Sequence, residues 1–145
     1  MKLVEEISVQ LENKPGTLSE LSELLSADGI SILALTVRTD AAVGTLSFVA
    51  TDPARVVNVL ESAGYNPTVR HIIAAEIPHH PGGINTVLKT LKSAGINVEY
   101  LYSCVGPHGA GDSIVIMLGV DDTAAAHDAL SREWIRLHGE ELYSF

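Results

Sequence analysis

The residues best suited to chemistry lie in a short turn near the start of the chain. This turn comprises Asn13, Lys14, Pro15, Gly16, Thr17 and Leu18. Unpaired backbone N–H groups and the helix dipole favour an anion at the start of a helix, and Gly16 permits close approach of a ligand because it has no Cβ. The Asn13 amide can accept a hydrogen bond from an ammonium group and donate one to a carboxylate. The turn is therefore suited to a small ligand that carries both groups.

A second turn of similar chemistry follows later in the chain. It comprises His79, His80, Pro81, Gly82, Gly83 and Ile84. Its two glycines again permit close approach of a ligand, and His80, like Lys14 in the first turn, adds positive or titratable character. Another interpretation stays open, in which each Pro-Gly pair only shapes a turn and Asn13 satisfies local backbone groups.

The residue spacing offers little support for other chemistry. Adjacent His79 and His80 point in opposite directions on an extended segment, and His71 and His108 could approach them only through tertiary structure. No metalloprotease-type spacing such as H-E-x-x-H occurs. Cys104 has no basic neighbour in sequence, and no Ser-His-Asp signature stands out. We therefore predict no metal site, no cofactor and no catalytic residue.

Two further features have competing interpretations. Gly106, Gly109 and Gly111 join two predicted strands rather than a strand and a helix, which favours a flexible hairpin that could cover a ligand over a phosphate-binding loop. Trp134 is predicted to anchor the end of the last helix by packing. A dimer contact is the alternative, because tryptophan is enriched at interfaces.

Hydrophobic periodicity predicts the elements that position the first turn. Residues 7–12 alternate between apolar and polar types, which indicates a half-buried strand. Leucines then recur on one helical face, and Thr17 with Glu20 has capping-box spacing for the start of that helix. Two strands, a helix that begins at Asp52-Pro53, and a further strand complete the order β-α-β-β-α-β. These strands are predicted at 30–37, 45–50 and 68–77.

The chain contains this order of elements twice. At an offset of 66 residues, segment 7–18 aligns with segment 73–84, and the Pro-Gly and Gly-Ile pairs coincide. The second copy repeats the elements, with a final strand expected near 141–145. Because a β-α-β-β-α-β unit folds as a ferredoxin-like sandwich, we predict an α+β protein with two such units in tandem, at 1–70 and 71–145. Each unit would have an antiparallel sheet with its helices on one face.

The second strand of each unit is predicted to lie at a sheet edge, yet it is almost wholly apolar. Ile32, Leu33, Leu35 and Val37 mark this strand in the first copy, and segment 96–103 matches it in the second. An exposed apolar edge promotes aggregation unless something pairs with it, and units of about 70 residues are only marginally stable alone, because they bury only about 60% of their surface. We therefore expect the copies to pair with each other or across a homodimer.

Composition limits the classes of partner. The chain of 145 residues has nine basic and eighteen acidic side chains, for a net charge of −9 spread over both halves. This charge disfavours nucleic acid and anionic membrane surfaces. No apolar run approaches the ~18 residues that span a bilayer, and the first residues lack the apolar region of a signal peptide. We expect a soluble, cytoplasmic protein.

Two segments together resemble a known regulatory domain. LENKPGTLSELSELLSADGISI at 11–32 looks like the start of an ACT domain, and IPHHPGGINTVLKTLKSAGINVEY at 77–100 resembles the same motif. The resemblance covers essentially the whole chain as two tandem copies. It implies a regulatory module that binds amino acids at an interface between paired domains. The family pattern implies ligand contacts at Asn13 and Ser31 in the first copy and at His79 and Asn97 in the second.

We therefore expect a non-catalytic, homodimeric sensor of a free amino acid or similar small ligand, which regulates a metabolic enzyme. The turn of one unit would hold the carboxylate and ammonium groups of the ligand, and the second strand of a partner unit would close the pocket. The alternative is an assembly module that recruits an enzyme without binding any ligand. A third hypothesis, a small ferredoxin-like enzyme, would need His79, His80 and His108 to converge in a cleft.

Overall fold

A computed structural model describes residues 1–105 and 111–144 of the chain. These residues form two compact units: Glu5–Arg70 is one, and Met1–Val4 together with His71–Phe145 is the other. We refer to them as the first unit and the second unit. The predictions that concern Gly106, His108 and Gly109 lie outside the described residues. No helix that the structure describes is long and apolar enough to cross a membrane.

The elements follow the predicted order, so the α+β fold with a repeated βαββαβ pattern is confirmed. The first half of the chain contains β1 (Val4–Glu12), α1 (Thr17–Ala27), β2 (Ile32–Asp40), β3 (Val43–Ala50) and α2 (Pro53–Ser62). The second half contains β4 (Thr68–Pro78), α3 (Gly83–Ser93), β5 (Val98–Ser103), β6 (Ser113–Val120), α4 (Thr123–Arg132) and β7 (Leu137–His138). The strand β4 ends one repeat and begins the next.

The last strand differs from its prediction. A strand was expected near 141–145, but the strand is Leu137–His138, and Glu140–Ser144 forms a short 3₁₀ helix. The two residues of β7 pair with β4. The N–H of Leu142 then donates to the carbonyl of Gly139 at 3.0 Å, which closes a turn, and the Leu142 side chain is fully buried. The chain therefore turns away from the sheet before the predicted strand begins.

The first unit contains an antiparallel sheet in the order β2-β3-β1, with β2 at the edge. Alternation puts Ile7 of β1 opposite Phe48 of β3 on one face. Both side chains are buried against Leu21 and Leu25 of α1 and Leu60 of α2. The apolar residues of the strands and the leucines of the helices therefore pack in one core, as the hydrophobic periodicity predicts.

The second unit repeats this arrangement. Its antiparallel strands have the order β5-β6-β4, with β5 at the edge and β7 also paired to β4. Ile73 of β4 lies opposite Leu118 of β6. Val87 and Leu91 of α3 and Leu130 of α4 pack onto this face and are fully buried. The edge position predicted for the second strand of each unit is confirmed.

Aspartates start the second helix of each unit. The Asp52 side chain accepts a hydrogen bond from the Arg55 N–H at 3.4 Å, and that of Asp122 accepts one from the Ala125 N–H at 3.1 Å. Each carboxylate satisfies one of the N–H groups that a helix leaves without an internal acceptor. The predicted helix start at Asp52-Pro53 is confirmed.

Candidate functional site

Hydrogen bonds hold the first turn against the loop between β2 and β3. The Asn13 backbone N–H donates to the Ala42 carbonyl at 2.8 Å, and the Asn13 side-chain Nδ2 donates to the Ala41 carbonyl at 2.9 Å. The Lys14 N–H donates to the Glu12 carbonyl at 2.9 Å. Asn13 is thus held in place through its nitrogen atoms. No partner for its Oδ1 occurs among the described residues.

Gly16 sets the direction in which α1 leaves the turn. Its φ of +94° lies in the left-handed region, where a side chain would be strained. The first intrahelical bond runs from the Glu20 N–H to the Gly16 carbonyl at 2.9 Å. The N–H groups of Thr17, Leu18 and Ser19 therefore precede that bond and have no acceptor within the helix.

The predicted capping box at the start of α1 does not form. Gly16 is the capping residue, and no side chain caps the helix. Thr17 lies one residue too late to act as the cap, inside the helix. Its hydroxyl points back across the turn and donates to the Glu12 carbonyl at 2.9 Å, with the Lys14 carbonyl at 3.2 Å. This contact ties the first residue of the helix to the last residue of β1.

A cavity of about 210 Å³ lies between this turn and the strands β2 and β3. Its lining consists of Leu11, Glu12, Asn13, Lys14, Pro15, Gly16, Thr17, Leu18, Val37, Thr39, Gly44 and Leu46. The Lys14 ammonium and the Glu12 carboxylate, which carry its charges, form an exposed ion pair at 3.1 Å. The wall opposite the turn is mainly aliphatic.

Four lining residues from β2 and β3 were not among the predicted site residues. They are Val37, Thr39, Gly44 and Leu46. Val37 lies opposite Leu46 and Thr39 opposite Gly44 in the strand register, so all four point to the helix-covered face. The spacing across the short β2–β3 hairpin is the sequence signal that predicts this register.

Ser31 is not part of this cavity. It precedes β2, whereas the residues of β2 that line the cavity lie towards the other end of that strand. The Ser31 N–H donates to Thr51 Oγ1 at 3.0 Å, and the Thr51 N–H donates back to the Ser31 carbonyl at 3.0 Å. Within the first unit, the structure therefore does not bring Ser31 to the Asn13 turn.

The second turn lies in the second unit and keeps the left-handed glycine. Gly82 has a φ of +87° and caps α3, as Gly16 caps α1. The His79 N–H donates to the Asp112 carbonyl at 3.2 Å, and His80 Nδ1 lies 2.9 Å from the Pro81 carbonyl. The His80 ring therefore lies against a neighbouring backbone carbonyl, and the His79 backbone is tied to the residue that precedes β6. Ile84 follows on the first turn of α3 and is partly exposed.

The second turn differs from the first at Gly83, the counterpart of Thr17. A Cβ at Gly83 would overlap the backbone carbonyl of Pro78, and the Gly83 N–H donates to the His80 carbonyl at 2.9 Å. That bond occupies an N–H group at the start of α3. The backbone of Asn97, the counterpart of Ser31, is bonded to Asp121: its N–H donates to Asp121 Oδ1 at 3.0 Å, and the Asp121 N–H donates to the Asn97 carbonyl at 3.2 Å.

Two features of the described residues bear on metal binding and thiol chemistry. Within residues 1–105 and 111–144, no cluster of three histidine, cysteine or acidic side chains could hold a metal ion. Burial raises the pKa of the Cys104 thiol to about 12, so the thiol is protonated and weakly nucleophilic at neutral pH.

Comparisons with known proteins agree with the observed fold. The family model for the ACT domain pair matches residues 2–140. The structure of protein BT0572 from Bacteroides thetaiotaomicron is similar with a TM-score of 0.90 and 24% identity, over 99% of this chain and 97% of that chain. The ligand-free regulatory subunit of aspartate kinase from Thermus thermophilus is similar with a TM-score of 0.65 and 15% identity, over 91% and 93%. No protein with a curated description matches the sequence. At these identities the structural likeness shows the fold.

Proposed function

The chain belongs to the family of ACT domain pairs, and from that premise we propose that it is a non-catalytic regulatory protein that binds a free amino acid at the Asn13 turn. The observation that carries this proposal is the cavity of about 210 Å³ that the turn encloses with β2 and β3. It is smaller than the roughly 300–1,000 Å³ of pockets that hold drug-sized ligands. Its size therefore favours a single amino acid.

The two ends of the ligand backbone bind to opposite sides of the turn. The carboxylate receives hydrogen bonds from the N–H groups of Thr17, Leu18 and Ser19, which have no acceptor within α1. The ammonium group donates to Asn13 Oδ1, whose amide nitrogen is already held by Ala41. Because that bond fixes the amide plane, the oxygen is oriented before the ligand arrives.

The cavity wall supports an aliphatic side chain on the ligand. Leu11, Leu18, Val37 and Leu46 supply apolar surface around it. A charged ligand side chain would lose its hydration there without gaining a partner, since the Glu12 and Lys14 charges are paired with each other. Valine, leucine and isoleucine are therefore preferred over aspartate and lysine.

A second copy of the chain completes the site along the β2 edge. Leu35 and Val37 of this edge are each 39% exposed, and Leu18 beside the turn is 44% exposed. Val37 and Leu18 also line the cavity. An edge strand from a second copy would cover them and bring its own Ser31 region towards the ligand. The ligand would bind more tightly to the dimer than to the monomer, so ligand binding favours the dimer. A metabolic enzyme that contacts the protein would respond to this change in assembly.

The first turn is the stronger of the two candidate sites. His79 and Gly83 replace Asn13 and Thr17 in the second turn, and the Gly83 N–H is already bonded to His80. This leaves fewer groups for a carboxylate and an ammonium group. We therefore assign one amino-acid site to each chain and leave Asn97 outside it.

Thermal unfolding in the presence of each common amino acid tests the proposal. A ligand at 100 times its Kd stabilises a protein by about 2.7 kcal/mol, which raises the melting temperature visibly. We expect one aliphatic amino acid to give this shift, and Asn13→Ala and Gly16→Val each to reduce it. His79→Ala, at the matching position of the second turn, serves as the control and should leave it unchanged. Equal shifts in the wild type and in both first-turn variants contradict the assigned site.

An assembly module without a ligand is the second candidate function. The exposed apolar side chains of both edge strands favour it, since Leu101 of β5 is 39% exposed like its counterpart Leu35. Such a module would show no stabilisation by any amino acid. It would instead gain stability only when its enzyme partner is added.

A further inference from the structure

Trp134, the single tryptophan of the chain, is a large aromatic side chain that lies exposed on the surface. Its residue is 94% exposed just after the end of α4, so the prediction that it anchors the helix by packing is wrong. Its φ of +60° lies in the left-handed region, which disfavours a bulky side chain. Neither core packing nor backbone preference explains a tryptophan here.

The first unit shows what this position requires for folding alone. Gly64 follows α2 with a φ of +91° and donates its N–H to the Glu61 carbonyl at 3.1 Å. Trp134 follows α4 and donates its N–H to the Ser131 carbonyl at 3.1 Å. Both residues adopt a left-handed backbone and make the same hydrogen bond, and glycine satisfies this conformation without strain. Formation of the turn therefore does not require the indole ring of Trp134.

A groove of about 640 Å³ runs between α3 and α4 in the same unit. Its lining consists of Gly82, Asn85, Thr86, Lys89, Thr90, Ser93, Ala94, Ala129, Arg132 and Glu133. Most of these side chains are small, so the groove is wide enough for an aromatic ring. Arg132 and Glu133 directly precede Trp134 in the chain, so the exposed tryptophan follows two residues of the groove lining.

Charges of both signs line this groove. Arg132 is paired with Asp128 at 2.6 Å. Lys89 and Glu133 line the groove without an ion-pair partner among the described residues. This surface therefore carries a projecting side chain (Trp134), a groove, a cation (Lys89) and an anion (Glu133). Two copies of such a surface can be complementary to each other.

We propose that two copies of the chain associate through this face, each inserting Trp134 into the α3–α4 groove of the other. Such a two-fold contact is isologous, because the same surface serves both copies. Lys89 of each copy then faces Glu133 of the other copy, so the contact contains two equivalent ion pairs. Each ring buries about 150–250 Å², and the walls of both grooves supply further contact area. Tryptophan is also the residue type most enriched among interface anchors.

This contact is separate from the amino-acid site and from the β2 edge of the first unit. Its formation does not depend on ligand binding, so either proposal can fail alone.

The fluorescence of Trp134 reports this contact directly, because no other tryptophan contributes. As the protein concentration rises, we expect the emission maximum to move to shorter wavelength and the quenching by acrylamide to fall. The sedimentation coefficient should rise over the same range of concentration. Trp134→Gly should abolish the concentration-dependent rise in sedimentation while the melting temperature of dilute protein stays equal or increases. Leu35→Lys, which acts at the β2 edge, is the control and should leave the fluorescence change intact. Emission from a fully exposed indole at every concentration overturns the proposal.

A charge exchange tests the geometry of the contact. Lys89→Glu and Glu133→Lys should each weaken association through this face about tenfold or more, because each puts like charges together twice. The double variant restores opposite charges and should recover most of the wild-type affinity. A double variant that associates no better than either single variant overturns the reciprocal arrangement.

Discussion

Thr17 and Gly83 occupy the same position of the repeat and shape their turns differently. In the first turn, the Thr17 hydroxyl donates to the Glu12 carbonyl at 2.9 Å. In the second, Gly83 lies so close to the Pro78 carbonyl, the counterpart of Glu12, that a Cβ would overlap the oxygen. The second turn is therefore the tighter one, which agrees with assigning the ligand to the first.

We expect Gly83→Ala to lower the free energy of unfolding by about 1–3 kcal/mol, as overpacking against a rigid neighbour does. The Pro78 carbonyl belongs to a paired strand and cannot move aside at low cost. Chemical denaturation measures the change. Thr17→Ala is the matched variant and should cost only the net value of one hydrogen bond, about 0.5–1.5 kcal/mol. A Gly83→Ala variant as stable as the wild type would contradict the close contact.

Single residues of the site could be predicted where local chemistry determines them. Asn13 and Gly16 lie at the cavity, as the Pro-Gly turn indicates. The role of Thr17 could not be predicted, because a left-handed Gly16 already caps the helix and sends the hydroxyl back to β1. Val37 and Thr39 were missed because they reach the turn only through strand register.

At the scale of elements, an aromatic pair covers one face of the β5–β6 hairpin. Tyr100 and Tyr102 stack with ring centroids 6.2 Å apart. Tyr100 lies opposite Gly119 in the register, and a Cβ at Gly119 would overlap its ring. The glycine therefore provides the space that lets the ring lie flat on β6.

We expect Gly119→Ala to destabilise the protein by about 1–3 kcal/mol, because the Tyr100 ring must leave its position and lose its stacking. A double-mutant cycle with Tyr100→Ala measures the coupling. The alanine at 119 should cost much less once the ring is absent. Strictly additive effects of the two substitutions would contradict this account.

The order of elements could be predicted because strands and helices differ in hydrophobic period and the repeat supplied a second copy for comparison. The last strand could not, since Leu137 and His138 form only two residues of pairing and such a short run has no period. The exposure of Trp134 was also missed. A tryptophan after an amphipathic helix suggests packing, and its left-handed backbone is a tertiary feature.

At the scale of the whole molecule, Lys2 connects the start of the chain to its end within the second unit. Its ammonium group lies 3.1 Å from Glu141 Oε1, and its backbone N–H donates to His127 Nε2 at 3.0 Å. Burial raises the pKa of Glu141, but hydrogen bonds from backbone N–H groups of Gly139 and Glu141 and from Lys2 outweigh it and lower the pKa to about 2. The folded state therefore favours the carboxylate.

We expect Glu141→Gln to destabilise the protein at neutral pH and the difference from wild type to shrink as the pH falls below 4.5. The folded-state pKa lies below the ordinary value of 4.5, so the stabilisation is present above that pH and is lost as the pH falls towards 2. Urea denaturation across this range measures it, with Glu140→Gln as the neighbouring control. A difference that stays constant in acid would contradict the role of the carboxylate.

The duplication and the acidic charge of the chain could be read from its sequence, whereas the closing of the site could not. Ser31 lies away from the cavity within the first unit, so the proposed contact from a second copy would depend on assembly. A cavity wall that forms only on association has no local sequence signature. The central claim therefore concerns the part that one chain builds by itself, the Asn13 turn.

The most direct test is a titration of isotope-labelled protein with valine, leucine and isoleucine, followed through the backbone amide resonances. We predict that one of them shifts the amides of Gly16, Thr17 and Leu18 more than those of Gly82, Gly83 and Ile84 in the second turn. Aspartate and lysine should leave both turns unchanged. Amide shifts confined to the second turn, or no shift with any amino acid, would contradict the proposal that this turn is an amino-acid site.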